Sequence, residues 1–132
     1  MSEYLKPIPK PSPTSRPFWE AARRHELKLQ RCAACGKFIY YPRPRCPYCF
    51  GDKLEWQQVS GRGKVYSYTI VRRASHRSFA DPYVLAIVQL EEGPRMTTNI
   101  VAAPESVRVD QKVVVHFDDV TPENTLVKFK PA

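Results

Sequence analysis

No stretch of the chain approaches the ~20 uncharged apolar residues that a membrane helix needs. The N-terminal segment Met1–Pro13 alternates prolines with polar residues where a signal peptide would carry an apolar core. Both absences point to a soluble, cytoplasmic protein. Glycine is scarce, five in 132 residues, and none forms a phosphate loop of the P-loop or Rossmann kind. Cysteine is absent outside positions 32–49, so no thiol nucleophile can lie elsewhere. The three histidines, His25, His76 and His116, fall in unrelated segments, and no Cys/His or Ser/His pair is evident; surface or satisfied imidazoles are the default reading.

Acidic residues are also few, 13 against 21 Lys+Arg, which leaves a net charge of +8. A basic surplus invites phosphate polyanions, but its position decides its meaning. Residues 1–64 hold 13 basic and 5 acidic side chains, whereas residues 65–132 hold 8 of each. The surplus therefore belongs to the first half.

That first half opens with Pro7, Pro9, Pro11 and Pro13 at alternate positions, which block helix and imply an extended arm. Pro17 suits a first helical turn, and the good helix formers that follow predict a helix over 17–26. Phe18 and Trp19 project from a helix too short to stand alone. They pack either on the chain's own core or in a partner's groove, where Trp is a favoured anchor.

Next comes Leu27 to Arg31, alternating as a strand does, and then Cys32-x2-Cys35 and Cys46-x2-Cys49. Two residues between cysteines allow a tight turn to aim both sulfurs at one point, and two such turns make a tetrahedral thiolate site. Zinc is the favoured occupant. Iron in a rubredoxin-like four-cysteine site remains an alternative, and paired redox disulfides a weaker one in a chain without a secretion signal. A closed four-thiolate site is structural, because catalytic zinc keeps an open position. Gly36 suits the left-handed position after the first turn, and Phe38 to Tyr41 read as a strand crossing between the two.

From Lys64 onward the pattern becomes repeated strands: Lys64–Val71, Tyr83–Leu90, Met96–Val101, Gln111–Phe117 and Thr125–Phe129. Simple alternation sets Tyr66, Tyr68 and Ile70 on one face of the first strand, with Val65, Ser67, Thr69 and Val71 on the other. Glu91 to Pro94 reads as a hairpin turn and Pro104 to Ser106 as a short helical link. Three meander strands, a helical link and two more strands is the order of a five-stranded OB-fold barrel. The fold class is mainly β, with an N-terminal helix and a rubredoxin-like zinc ribbon ahead of the barrel. The expected divisions are 1–28 for arm and helix, 29–58 for the ribbon and 59–132 for the OB fold.

The helix, the Cys32-x2-Cys35-x10-Cys46-x2-Cys49 ribbon, the phrase Ser60-Gly61-Arg62-Gly63-Lys64-Val65-Tyr66-Ser67 and the ending Val127-Lys128-Phe129-Lys130-Pro131 together resemble the acyl-CoA-associated OB-fold family with a zinc ribbon, formerly a domain of unknown function. The resemblance covers about residues 15–131. It implies a non-catalytic accessory subunit that forms a hetero-oligomer with a thiolase-like enzyme (a thiolase, an acyltransferase or a steroid side-chain aldolase) and can contribute to the channel holding the acyl-CoA thioester.

If coenzyme A is contacted, its phosphates need cations and its adenine a flat surface. The segment Arg72-Arg73-Ala74-Ser75-His76-Arg77-Ser78-Phe79 combines three arginines, a histidine and an aromatic, so Arg72, Arg73, His76 and Arg77, with Arg43 and Arg45, form a candidate contact surface for the thioester or the partner. The opposing reading is a single-stranded nucleic-acid module, since OB folds and zinc ribbons both serve that use. The strand Tyr83–Leu90 has no Lys or Arg and runs into two glutamates, which counts against it.

Overall fold

The computed structural model describes residues 10–72 and 82–132. Most of the proline-rich arm, together with Arg73, His76 and Arg77, lies outside the described residues. Helix α1 spans Arg16–Arg23, with Pro17 in its first turn. It ends three residues earlier than its composition suggests because His25 takes a positive φ of 60°. The Glu26 N–H then reaches back to the Ala21 carbonyl and the His25 N–H to that of Ala22, satisfying carbonyls a helix end leaves orphaned.

Strands β1 (Lys28–Cys32), β2 (Phe38–Ile39) and β3 (Leu54–Gln58) form an antiparallel sheet in the order β2-β1-β3. The crossing strand is thus only two residues long: Pro42 and Pro44 lie just beyond it and bring no N–H to a ladder. Five further strands, β4 (Arg62–Val71), β5 (Tyr83–Leu90), β6 (Arg95–Ile100), β7 (Lys112–Thr121) and β8 (Asn124–Pro131), close a barrel in the order β4-β5-β6-β8-β7. A one-turn 3-10 helix at Pro104–Ser106 links β6 to β7. The OB strand order and both expected connections are present.

One core serves helix, ribbon base and barrel. Phe18, Leu27, Leu29 and Val59 join Val65, Val84, Val88, Met96, Val113 and Phe129 in a single buried cluster. Full burial of a ring such as Phe18 is worth roughly 2–3 kcal/mol, which explains why so short a helix persists. A second, smaller cluster holds Cys32, Ile39 and Cys46, with Leu54 packed against it.

Simple alternation fails in β4. The register against β5 shifts between Val65 and Ser67, which makes Tyr66 the extra residue of a bulge. Val65 stays inside, Tyr66 and Ser67 both face out, and Tyr68 returns to the core side. Just before the bulge, Gly63 allows a close approach: a Cβ there would lie 2.5 Å from the Gln89 carbonyl oxygen.

Candidate metal centre

Each CxxC pair builds a small knuckle of backbone hydrogen bonds. In the first, the Gly36 N–H donates to the Cys32 carbonyl and the Cys35 N–H points at the Cys32 sulfur, 3.5 Å away. The second repeats the form: the Phe50 N–H donates to the Cys46 carbonyl, and the Tyr48 N–H lies 3.4 Å from the Cys46 sulfur. The residue after each knuckle has a positive φ, 77° at Gly36 and 63° at Phe50. Glycine takes that conformation freely, whereas a phenylalanine there is strained.

The knuckles bring all four sulfurs within 4.8 Å of one another. Cys32 and Cys49 are 3.5 Å apart and Cys35 and Cys46 3.6 Å, and all four cysteines are free thiols. A disulfide needs about 2.0 Å, so the paired-disulfide alternative fails. A tetrahedral ion about 2.3 Å from each sulfur sets neighbouring sulfurs about 3.8 Å apart. The cluster fits that requirement, and the four cysteines are positioned to bind a metal ion.

The electrostatics suit a cation. The Cys32 thiol is drawn down to about 7, first by the Cys35 N–H and also by the neighbouring sulfurs, against the opposing effect of burial. Cys49 behaves oppositely: the Gly51 N–H favours its thiolate, but the Cys32 sulfur and desolvation outweigh that and push it up to about 12. Four thiols this close cannot all ionise alone, and a divalent ion resolves the conflict.

Around the knuckles, the structure separates the sequence-derived contact residues. Arg43 and Arg45 are exposed beside the cluster, and Arg45 donates to the Phe50 carbonyl at 3.2 Å. Arg72, at the far end of β4, is also exposed. For Phe18 the structure corrects the docking expectation, since it is 2% exposed within the chain's own core; Trp19 is half-buried and packs edge-on against it with ring centroids 4.9 Å apart. On the second knuckle Tyr48 and Phe50 are 57% and 74% exposed, with the Lys37 ammonium 4.7 Å from the Tyr48 ring centroid. Gln30, buried on β1, is a further residue the sequence reading missed; its amide holds the backbone of Arg43.

Residues 19–55 match the ChsH2 rubredoxin-like zinc ribbon domain, and residues 56–118 match the ChsH2 C-terminal OB-fold domain. A DUF35 domain-containing scaffold protein of Methanothermobacter thermautotrophicus is 36% identical over 114 residues, spanning 83% of this chain and 85% of that protein. The chain belongs to the DUF35 family. Another relative, the probable enoyl-CoA hydratase alpha subunit of Thermomonospora curvata, is 41% identical over 117 residues, 87% of this chain. The match takes in 37% of that relative's length. The benzoylsuccinyl-CoA thiolase subunit BbsA of Thauera aromatica is 33% identical over 89 residues, 66% of this chain and 60% of that subunit. Among solved structures, the Ltp2-ChsH2(DUF35) aldolase superposes with a TM-score of 0.84 at 37% identity, covering 93% of this chain and 98% of that one.

Proposed function

We propose that this DUF35 protein is a non-catalytic, cytoplasmic subunit of a hetero-oligomer with a thiolase-like enzyme acting on acyl-CoA thioesters. The observation that carries this reading is the company its relatives keep: proteins 33–41% identical are named as a scaffold protein, as a probable enoyl-CoA hydratase alpha subunit and as a benzoylsuccinyl-CoA thiolase subunit. The chain's own chemistry agrees with it, since all four cysteines belong to the metal cluster and leave no thiol for acyl transfer. Zinc is the proposed ion, with a structural role. Among the described residues no helix is long and apolar enough to cross a membrane.

The ribbon tip is the proposed docking end. Aromatic residues and arginine are enriched at interfaces, and Tyr48 and Phe50 stand exposed there with Arg43 and Arg45. Phe50 adds a second argument, because backbone strain persists where function requires the side chain. The segment carrying Arg72, Arg73, His76 and Arg77 is proposed to contact the thioester or the partner near its channel. Co-expression with the thiolase-like enzyme of the same host tests the reading: a complex that survives gel filtration is expected, and separate elution of the two chains would contradict it.

A further inference from the structure

Residues 65–132 are neutral by count, yet the barrel, which also takes in Arg62 and Lys64, sorts its charges. Lys64 on β4 stands directly opposite Lys112 on β7, and on its other side opposite Gln89 of β5, which in turn faces Arg95 of β6. Residues directly opposite across a ladder point to the same face, so Arg95, Gln89, Lys64 and Lys112 form one outward row across four strands. The three cations of the row are exposed. A second row beside it runs Arg62, Val114, Lys130. Among the described residues, Glu91, bound to Arg62 at 3.2 Å, and Asp110, 3.9 Å from Lys64, are the acids that pair with the five cations.

Two like charges directly opposite on a ladder are unfavourable, and Lys64 and Lys112 stand so. The row adjoins a concavity of about 500 Å³ lined by Arg62, Lys64, Gln89, Lys112 and Val114, among others. Two residues along β4 from Lys64 lies a flat surface: the bulge turns Tyr66 outward, 45% exposed, with the Arg95 guanidinium reaching over from β6 to stack 3.8 Å from its ring centroid. At about 3.4 Å per residue along a strand and about 4.8 Å between strands, Tyr66 lies about 7 Å from Lys64 and about 8 Å from Lys112 along the sheet. That spacing suits a ligand with a heteroaromatic ring at one end and phosphates at the other.

We infer that this outer face of the barrel is a nucleotide-type site, in which Lys64 and Lys112 hold phosphate oxygens and the Arg95–Tyr66 stack receives the ring. The shared chemistry is an adenine nucleotide, supplied either free or as the phosphoadenosine end of coenzyme A. The second source deepens the proposed function and rests on it; the first does not. The residues that form it are distinct from Arg43, Arg45 and Arg72.

The test is amide NMR titration of the full, metal-loaded chain with ADP, coenzyme A, inorganic phosphate, poly-glutamate and a single-stranded oligonucleotide, repeated on K64Q/K112Q. The expected result is saturable shifts at Lys64, Tyr66, Arg95 and Lys112 with ADP and coenzyme A, weakened at least tenfold in the variant. Tighter binding of coenzyme A than of ADP assigns the thioester source, and equal binding assigns a free nucleotide. Phosphate alone should move Lys64 and Lys112 but not Tyr66. The variant should keep its dispersed spectrum, since both side chains are exposed, and should still co-purify with the thiolase-like enzyme. Shifts that never saturate, persist unchanged in the variant, or are exceeded by those from poly-glutamate or the oligonucleotide would overturn the assignment. Loss of the complex with unchanged nucleotide binding would also overturn it, making the row a protein interface and leaving the proposed function standing.

Discussion

The side-chain amide of Gln30 closes a ring with the backbone of Arg43: its oxygen accepts the Arg43 N–H at 2.7 Å, and its nitrogen donates to the Arg43 carbonyl at 2.9 Å. Gln30 thus extends the sheet where prolines cannot, and it fixes the approach to the second knuckle from β1. Gln30→Leu leaves those backbone groups unpaired at a cost of about 1–3 kcal/mol. Thermal unfolding of the zinc-loaded variant should fall by several degrees, and Gln30→Glu at neutral pH should not restore it, because a carboxylate cannot donate to the carbonyl.

Removal of the metal should act locally. The cysteine cluster packs with Ile39 and Leu54, apart from the larger core that fills the barrel. Cys46→Ser, or chelation of the wild type, should release one ion per chain and erase amide protection across 32–54, while β4 to β8 keep theirs. Metal analysis and hydrogen exchange read both effects. Purified protein with neither zinc nor iron would contradict the ribbon assignment.

The helix is also latched to the barrel by a charged contact. The Asp119 carboxylate is held below the usual carboxylate range, first by the Thr125 hydroxyl and then by His25, whose Nε2 lies 2.9 Å away. A depressed carboxylate contributes stability above its unfolded value of about 3.9 and loses it as pH falls through its lower folded value. Wild type should therefore lose more stability than Asp119→Asn between pH 6 and pH 3, with denaturant midpoints as the measure. Parallel losses in the two proteins would remove the latch from the account of acid stability.

Phe50 separates folding from association. Its positive φ costs a non-glycine residue roughly 1–2 kcal/mol, and its ring is exposed. Phe50→Gly should raise the unfolding midpoint of the isolated chain and weaken binding to the partner at least tenfold. A variant both more stable and equally well bound would dissociate Phe50 from docking.

Much of this was legible beforehand. The cysteine spacing is a geometric statement about where sulfurs can point, and the structure gathers them accordingly. The barrel strands announce themselves through alternating β-branched residues. Strand β3 did not, because Leu54-Glu55-Trp56-Gln57-Gln58 is short and mostly polar, and its pairing with β1 makes it a strand. The last hairpin runs longer than its apolar pattern because polar pairs hold its tip: Lys128 bonds Asp118 at 2.6 Å, and Thr125 bonds Asp119. The faces of β4 were misread because one inserted residue, Tyr66, reverses the alternation beyond it. For the same reason a charge count along the chain could not reveal Lys64 opposite Lys112, which are 48 positions apart and meet only once the barrel closes.

The most direct test of the central claim is the mass of the assembly. The chain and the thiolase-like enzyme of its host, co-expressed and run through gel filtration with light scattering, should elute as one species heavier than the enzyme alone by a multiple of 15.2 kDa. Phe50→Asp should split that species in two while its own metal content and barrel spectrum stay intact. Two separate peaks for the wild-type pair, at concentrations well above micromolar, would contradict the accessory-subunit function.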